Sequence, residues 1–424
     1  MEYLTEDLWT MVLARLPIKI FTCFKLVCKQ WKSIVESTFF RDLFIFVHRS
    51  SPSSSSWSVM CIYCSITPEM VGHYQCDTWG LKRSLGSFIE SFLTEKNQKR
   101  IYGRAKLEAY SDVGLILIHK ESTFTEKRVL YVANPVSREC VEIILDALPI
   151  EFETNESRWE WGLVTRAENG HLSGYKVVSF EMYKWGHERL SCLIYSSETG
   201  LWTLETVHLP DPFFYDFLGY PISLNGNLHW IDRNNDDQEV VLSIDFYASS
   251  TTGPDQCRVT PFPDLEKIRK FTRTCTPCQG FLMYMNIVDG SNLCLWRLQS
   301  EGWQLISEIS PGFTLTGLDY LPLVINPLDA KTAYFWSKKQ QRLLSINLHN
   351  GKFVFHRQCE GRSDGPIMIP VNDPEAMISL NRWIENPFII RRTHYFIPFV
   401  LPQWLHRIPN TVSIKEPTTT ATLR

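Results

Sequence analysis

Apolar residues along the first forty positions recur every three or four residues. Leu8, Met11, Val12 and Leu16 form one such stripe, and Ile20, Phe24, Val27, Cys28, Trp31, Ile34 and Val35 form a second, broader one. That spacing places each set on one face of an amphipathic helix. Thr5, with Glu6 and Asp7 after it, supplies a cap and negative charge where the dipole of the first helix favours them. Leu16-Pro17 ends that helix, because the residue before a proline is pushed out of the helical region. Pro17 then suits the first turn of the next helix, where its missing N–H costs nothing. The pattern predicts two or three short helices. Such a bundle is too small to bury a generous core and leans on a partner or on the next domain.

Beyond residue 42 the helical period gives way to short β-prone runs. Residues 44–47 (Phe-Ile-Phe-Val) read as a strand, "HRSSPSSSSW" as a hairpin loop rather than a linker, and residues 57–63 as the next strand. Turn pairs then recur between β-prone runs: Asn134-Pro135, Thr199-Gly200, Asp289-Gly290 and Asn350-Gly351. Asn225-Gly226 is the pair preferred by a type I′ hairpin. Many short strands with regular turns predict a sandwich, a barrel or a propeller. Length selects among them, since about 360 residues exceed a normal sandwich or barrel but divide into propeller blades of about 40–50 residues. The expected fold is therefore α+β and multidomain. A small N-terminal helical module spans residues 1–42, an all-β propeller of about six to eight blades spans 43–408, and a polar, Thr-rich disordered tail spans 409–424.

Charge changes the reading of the second stripe. Arg15, Lys19, Lys25, Lys29 and Lys32 fall within it or at its border, with no acidic residue between Arg15 and Lys32. An apolar stripe edged with positive charge fits an acidic partner that offers an apolar groove. A solvated basic face on an ordinary core helix is the plainer alternative. The whole chain, at a formal net charge of −3, gives no sign of a nucleic-acid partner. The opening "MEYLTEDLWT" lacks the basic-then-apolar order of a secretory signal. No apolar run approaches the roughly 20 residues of a membrane helix, and "YFIPFVLPQWL" is broken by Pro398 and Pro402. The expectation is a soluble intracellular protein, cytoplasmic or nuclear, with no membrane partner.

Candidate chemistry is sparse. The 12 cysteines follow no framework, which predicts free, mostly buried thiols in a reducing compartment. The CxxC pairs Cys61/Cys64 and Cys275/Cys278 lie far apart without a well-spaced histidine, so no metal is expected. The acidic "DRNNDD" at 232–237 lacks the ligand order and closing glutamate of a calcium loop and reads as a solvated turn. Trp202, Trp230, Trp296 and His229 read as packing residues in strands. No GxSxG, HExxH, phosphate loop or dinucleotide fingerprint is present, so neither catalytic residues nor a cofactor are expected.

The order Leu16-Pro17, Ile20, Val27-Cys28-Lys29 and Trp31 resembles the F-box of plant F-box proteins over residues 2–42. That resemblance implies a helical module that docks on the Skp-type adaptor of a cullin–RING ubiquitin ligase. Leu16, Pro17, Ile20, Val27, Cys28 and Trp31 are then the residues that contact the adaptor or form the module's core. Thr22-Cys23 departs from the leucine and arginine common there, a change that weakens the adaptor contact. Farther along, "YVANPVSREC", "GYKVVSF", "IYSSETGLW", "LNGNLHWI", "VLSIDF" and "LCLWRL" are similar to successive signatures of the plant F-box-associated interaction domain, and "NPLDAKTAYFW" and "VLPQW" are weaker continuations. This second resemblance implies a kelch-like propeller that captures a protein substrate, whose identity and contact residues stay unassigned. The implied function is the non-catalytic substrate-recognition subunit of an SCF-type E3 ubiquitin ligase, bound to the adaptor and through it to a cullin. The alternatives are a stand-alone propeller enzyme or sugar-binding protein with a degenerate F-box, and an adaptor-binding scaffold that does not direct degradation.

Overall fold

A computed structural model describes residues 5–49, 57–61, 69–71, 105–121, 128–145, 159–181, 187–213, 220–248, 256–264, 274–310, 320–356 and 396–409, with short gaps inside some ranges, and also Ile89 and Phe92. Four helices come first: α1 (Glu6–Leu13), α2 (Ile18–Phe24), α3 (Lys29–Glu36) and α4 (Thr38–Arg49). Strands follow: β1 (Trp57–Cys61) and β2 (Glu69–Val71), then β3 (Ala105–Tyr110), β4 (Ile116–Glu121), β5 (Arg128–Ala133) and β6 (Cys140–Ile144). Next come β7 (Trp159–Glu168), β8 (His171–Glu181), β9 (His187–Ser196), β10 (Leu201–Phe213), β11 (Ile222–Leu224), β12 (Asn227–Arg233), β13 (Glu239–Asp245) and β14 (Cys257–Pro261). The last are β15 (Thr274–Cys278), β16 (Phe281–Val288), β17 (Asn292–Gln299), β18 (Gly302–Ile309), β19 (Tyr320–Ile325), β20 (Thr332–Ser337), β21 (Arg342–Asn347), β22 (Phe353–Phe355) and β23 (Phe396–Val400).

Each run of four consecutive strands from β3 to β22 folds as an antiparallel meander, giving five four-stranded sheets of the propeller-blade kind. A sixth sheet, ordered β2-β1-β23, draws its strands from both ends of the described β region, with Trp57 opposite Val400. Among the described residues the blades number six, the low end of the expected range.

The chain divides into two compact units. One combines Met1–Gln98 with Glu266–His406 and holds the helices, the β2-β1-β23 sheet and the sheets β15–β18 and β19–β22. Here end strands of neighbouring sheets meet, β15 against β19 and β19 against β23. Met283, Met285 and Leu295 pack on Phe335, Leu344 and Ile346 between two of those sheets. The other unit, Lys99–Leu265 with Arg407–Arg424, holds the remaining three sheets, with β7 against both β3 and β11. Its inter-sheet core sets Phe180, Ile194 and Val207 on Leu228, Trp230 and Leu242. Because a blade is covered on both faces, β13 and β20 are buried almost continuously instead of alternating. The outer strands β18 and β22 are largely exposed.

The turns carry their own chemistry. Asn225 (φ 51°) and Gly226 (φ 80°) form the expected I′ turn between β11 and β12, and Gln279-Gly280 (φ 50°, 80°) makes the same turn between β15 and β16. Asn134 and Asn347 head longer turns, each accepting backbone N–H groups on its side-chain oxygen. Asp289-Gly290 lies outside the described residues, although Val288 and Asn292 pair on either side of it. Asp112 staples three sheets together. One of its carboxylate oxygens accepts from the Thr165 hydroxyl at 2.8 Å, and the other accepts from the backbone N–H of Asn225 at 2.7 Å.

Residues 44–47 are not a strand but part of α4. Phe40 and Phe44, four apart, are both fully buried, so tertiary packing overrides the β preference of an aromatic and β-branched run. Ser37 opens this helix while closing the one before it. Its hydroxyl donates to the Ile34 carbonyl at 2.7 Å and accepts from the Phe40 N–H at 3.1 Å.

Gly226 tests the turn assignment. Its positive φ suits glycine, and a Cβ there would meet the Tyr247 ring at 3.1 Å. Gly226→Ala is expected to destabilise the chain by more than about 1 kcal/mol in urea unfolding. An unchanged midpoint would contradict the assignment.

Candidate functional site

The helical module is organised around four aromatic rings. Phe21 of α2 meets Phe40 and Phe44 of α4 edge-on, with centroids at 5.3 and 5.1 Å. Trp404, just beyond β23, completes the cluster, stacked on Phe21 at 5.6 Å and edge-on to Phe44 at 5.3 Å. His48 lies against the Phe44 ring, and its Nε2 is 3.2 Å from the Ala14 carbonyl, which ties the end of α4 to the end of α1. Leu13, Ala14, Ile18, Ile34 and Val35 fill the rest of this core.

The first apolar stripe is a true helix face, but it faces outward. Thr10 and Leu13 form the buried side of α1, while Leu8, Met11 and Val12 are each 45–47% exposed. The second stripe is split between two helices. α2 ends at Phe24, a turn follows, and Cys28 caps α3 by accepting the Trp31 N–H on its sulfur at 3.4 Å. Beyond that break only Ile34 and Val35 enter the core. Trp31 is half-buried between Trp9 at 4.9 Å and Phe24 at 5.1 Å. The intervening turn presents Leu26 and Val27, 89% and 62% exposed, and α2 presents Ile20.

The six residues singled out from the sequence therefore divide by role. Ile20, Val27 and Cys28 are exposed, whereas Leu16, Pro17 and Trp31 are half-buried. Pro17 starts α2, its carbonyl accepting from the N–H groups of Ile20 and Phe21. Leu26 was not signalled by periodicity because it sits in the turn, on neither stripe. Around this apolar surface Lys19, Lys29 and Lys32 are exposed, Arg15 donates to the Met11 carbonyl, and Lys25 lies 3.6 Å from Glu36. Thr22 and Cys23 both bond back within α2, to the carbonyls of Ile18 and Lys19. Taken together, α1, α2 and the turn into α3 carry several exposed apolar side chains, with exposed lysines among them in sequence, on a module whose own core is filled, and α4 also exposes Phe39 and Phe46.

The other residues read as packing groups take such positions. Trp230 is edge-on to Phe180 at 5.1 Å. The Trp202 indole N–H donates to the Ile144 carbonyl at 3.3 Å, and that of Trp296 to the Asn286 side-chain oxygen at 3.0 Å. His229 Nδ1 lies 2.7 Å from the Ser243 hydroxyl, and burial pushes its pKa down to about 4, so the ring is neutral at pH 7. In the 232–237 segment, Asn234 accepts from the N–H groups of Asp236 and Gln238, while Asn235 and Asp237 lie outside the described residues.

Cys275 and Cys278 are buried in β15, where a spacing of three puts them on opposite faces. Burial raises the Cys278 thiol to about 12. Cys64 lies outside the described residues. Among the described residues, no three His, Cys, Asp or Glu side chains gather as a metal site would need.

Comparison with known families follows the same division of the chain. The F-box domain matches residues 1–42, and the family described as "F-box protein At3g26010-like, beta-propeller" matches residues 55–410. The chain is an F-box protein with a β-propeller domain. F-box protein At3g28330 of Arabidopsis thaliana is 47% identical over 421 residues, covering 97% of each chain. The putative F-box/kelch-repeat protein At1g15680 of the same plant is 34% identical, covering 97% of this chain and 96% of its own.

The F-box core and its exposed face should respond differently to truncation. Phe44→Ala is expected to cost about 3–5 kcal/mol, read as faster hydrogen exchange in α2 and α4. Trp31→Ala is expected to cost less, because part of that ring is already in water. The reverse order would show that Trp31, and not the four-ring cluster, carries the module.

Proposed function

We propose that this F-box protein is the substrate-recognition subunit of an SCF-type ubiquitin ligase in the cytoplasm or nucleus, bound to a Skp-type adaptor and, through it, to a cullin. The observation that carries this reading is the exposed set of Leu8, Met11, Val12, Ile20, Leu26 and Val27, bordered by lysines, on a module that already has its own core. Fully burying one such side chain contributes about 1.5–3 kcal/mol. Several together offset the entropy of association, about 4–15 kcal/mol. The positive border favours an acidic partner surface and speeds the encounter.

In this reading the chain performs no bond chemistry of its own. The helical module holds the adaptor, and the β-sheets hold a protein substrate. Holding both raises the effective concentration of a substrate lysine near ubiquitin activated elsewhere in the complex. Ubiquitin transfer to the captured protein separates this role from that of a scaffold that does not direct degradation.

The test is capture of the full-length chain by a panel of plant Skp-type adaptors. The double variant Leu26→Glu, Val27→Glu places charge on two exposed positions without touching the core. It is expected to lower capture by more than about tenfold, a loss of roughly 1.4 kcal/mol or more, with an unchanged circular dichroism spectrum. Leu16→Ala, Pro17→Ala, at the half-buried corner, is expected to weaken capture as well. A folded wild type that binds no adaptor in the panel would contradict the proposal.

A further inference from the structure

The helical module is fixed to the β-sheet beside it at two points. One is the covalent chain, in which β1 follows α4 with residues 50–56 outside the described residues. The other is Trp404. β23 pairs with β1 along its length, Val400 opposite Trp57, and four residues later Trp404 inserts its ring among Phe21, Phe40 and Phe44. Trp404 is only 9% exposed, and Phe399 and Leu401 before it are also buried. The aromatic core of the N-terminal helices thus takes one ring from the strand end that closes the β2-β1-β23 sheet.

A covalent connection by itself does not fix the orientation of the module. Two attachment points that meet at the same paired strands remove most of that freedom. The stacked and edge-on ring contacts also favour one orientation over a sliding surface.

We propose that Trp404 is a positioning residue: it sets the orientation of the adaptor-docking face relative to the β2-β1-β23 sheet. Its functional consequence rests on the adaptor-docking reading above. A subunit that bridges two partners raises effective concentration only when its geometry lets both engage together, and that concentration is lost when the geometry is wrong. Trp404 is distinct in role from Leu26 and Val27. It touches the back of the module, and its loss leaves the exposed apolar face intact.

The experiment uses the full chain with dyes placed through unnatural amino acids at Ser33, on α3, and Glu301, between β17 and β18. Both positions are exposed and lie in the same unit. Single-molecule energy transfer is expected to report one narrow distance in the wild type. In Trp404→Ala it should report a broadened or shifted distribution, and Trp404→Phe, which keeps a ring, should restore the narrow one. Adaptor capture by Trp404→Ala should stay within about threefold of wild type, less than 1 kcal/mol.

An unchanged distance in Trp404→Ala would overturn the proposal. So would loss of adaptor capture and helical signal together in both variants, since Trp404 would then be needed for the module to fold. A wild type that captures no adaptor would instead overturn the docking reading, because the distance measurement needs no adaptor and still decides the role of Trp404.

Discussion

Four short helices cannot bury every apolar side chain they carry, and the packing of Phe21 on Phe40 and Phe44 decides which ones stay outside. With Ile18 and Phe21 turned inward, Ile20 is left on the outer side of α2. Once Phe40 and Phe44 fix α4 behind α2, the opposite side of α1 and the turn into α3 have nothing of this chain over them among the described residues. The exposed apolar surface follows from filling the core with these rings, and Trp404, from beyond β23, adds its contact to the same cluster without setting which side chains stay outside. In a monomer such a surface costs solubility, and the lysines around it offset part of that cost.

The β region solves a different problem. Each blade must be covered on both faces, so central strands such as β13 and β20 are buried almost throughout, and specificity lies in turns. Asn225-Gly226 and Gln279-Gly280 supply the left-handed residues that match strand twist. The Asp112 carboxylate joins one of those turns to two neighbouring sheets through hydrogen bonds to a hydroxyl and a backbone N–H. Pairing of β1 with β23 brings the two ends of the strand array together and delivers Trp404 to the helices.

Much of the site was legible in the sequence because it is made of residues with strict local roles. Leu16-Pro17 marks a helix boundary, and Val27-Cys28-Lys29 with Trp31 stands out through its family resemblance, but the apolar period runs α2 and α3 together and does not show the break that Cys28 caps. Exposure was not legible. Leu8, Met11 and Val12 have the spacing of a buried face, and periodicity alone does not say whether the cover comes from this chain or from another. Leu26 sits between stripes and carries no periodic signal at all. Residues 44–47 have strand composition, and burial of Phe44 against Phe21, and against Trp404 from far along the chain, favours the helix instead. That contact joins opposite ends of the chain, so no local window contains it. Blade type was readable from turns and length, whereas the count of six required seeing β23 pair with β1.

The most direct measurement of the central claim is a hydrogen-exchange footprint of the full chain with and without a Skp-type adaptor. The account expects new protection confined to α1, to α2 around Ile20, and to the turn through Leu26 and Val27 into α3. Amides of the core side of α4 should be little changed. Protection that falls on the β-sheets while these helices exchange as before would contradict it.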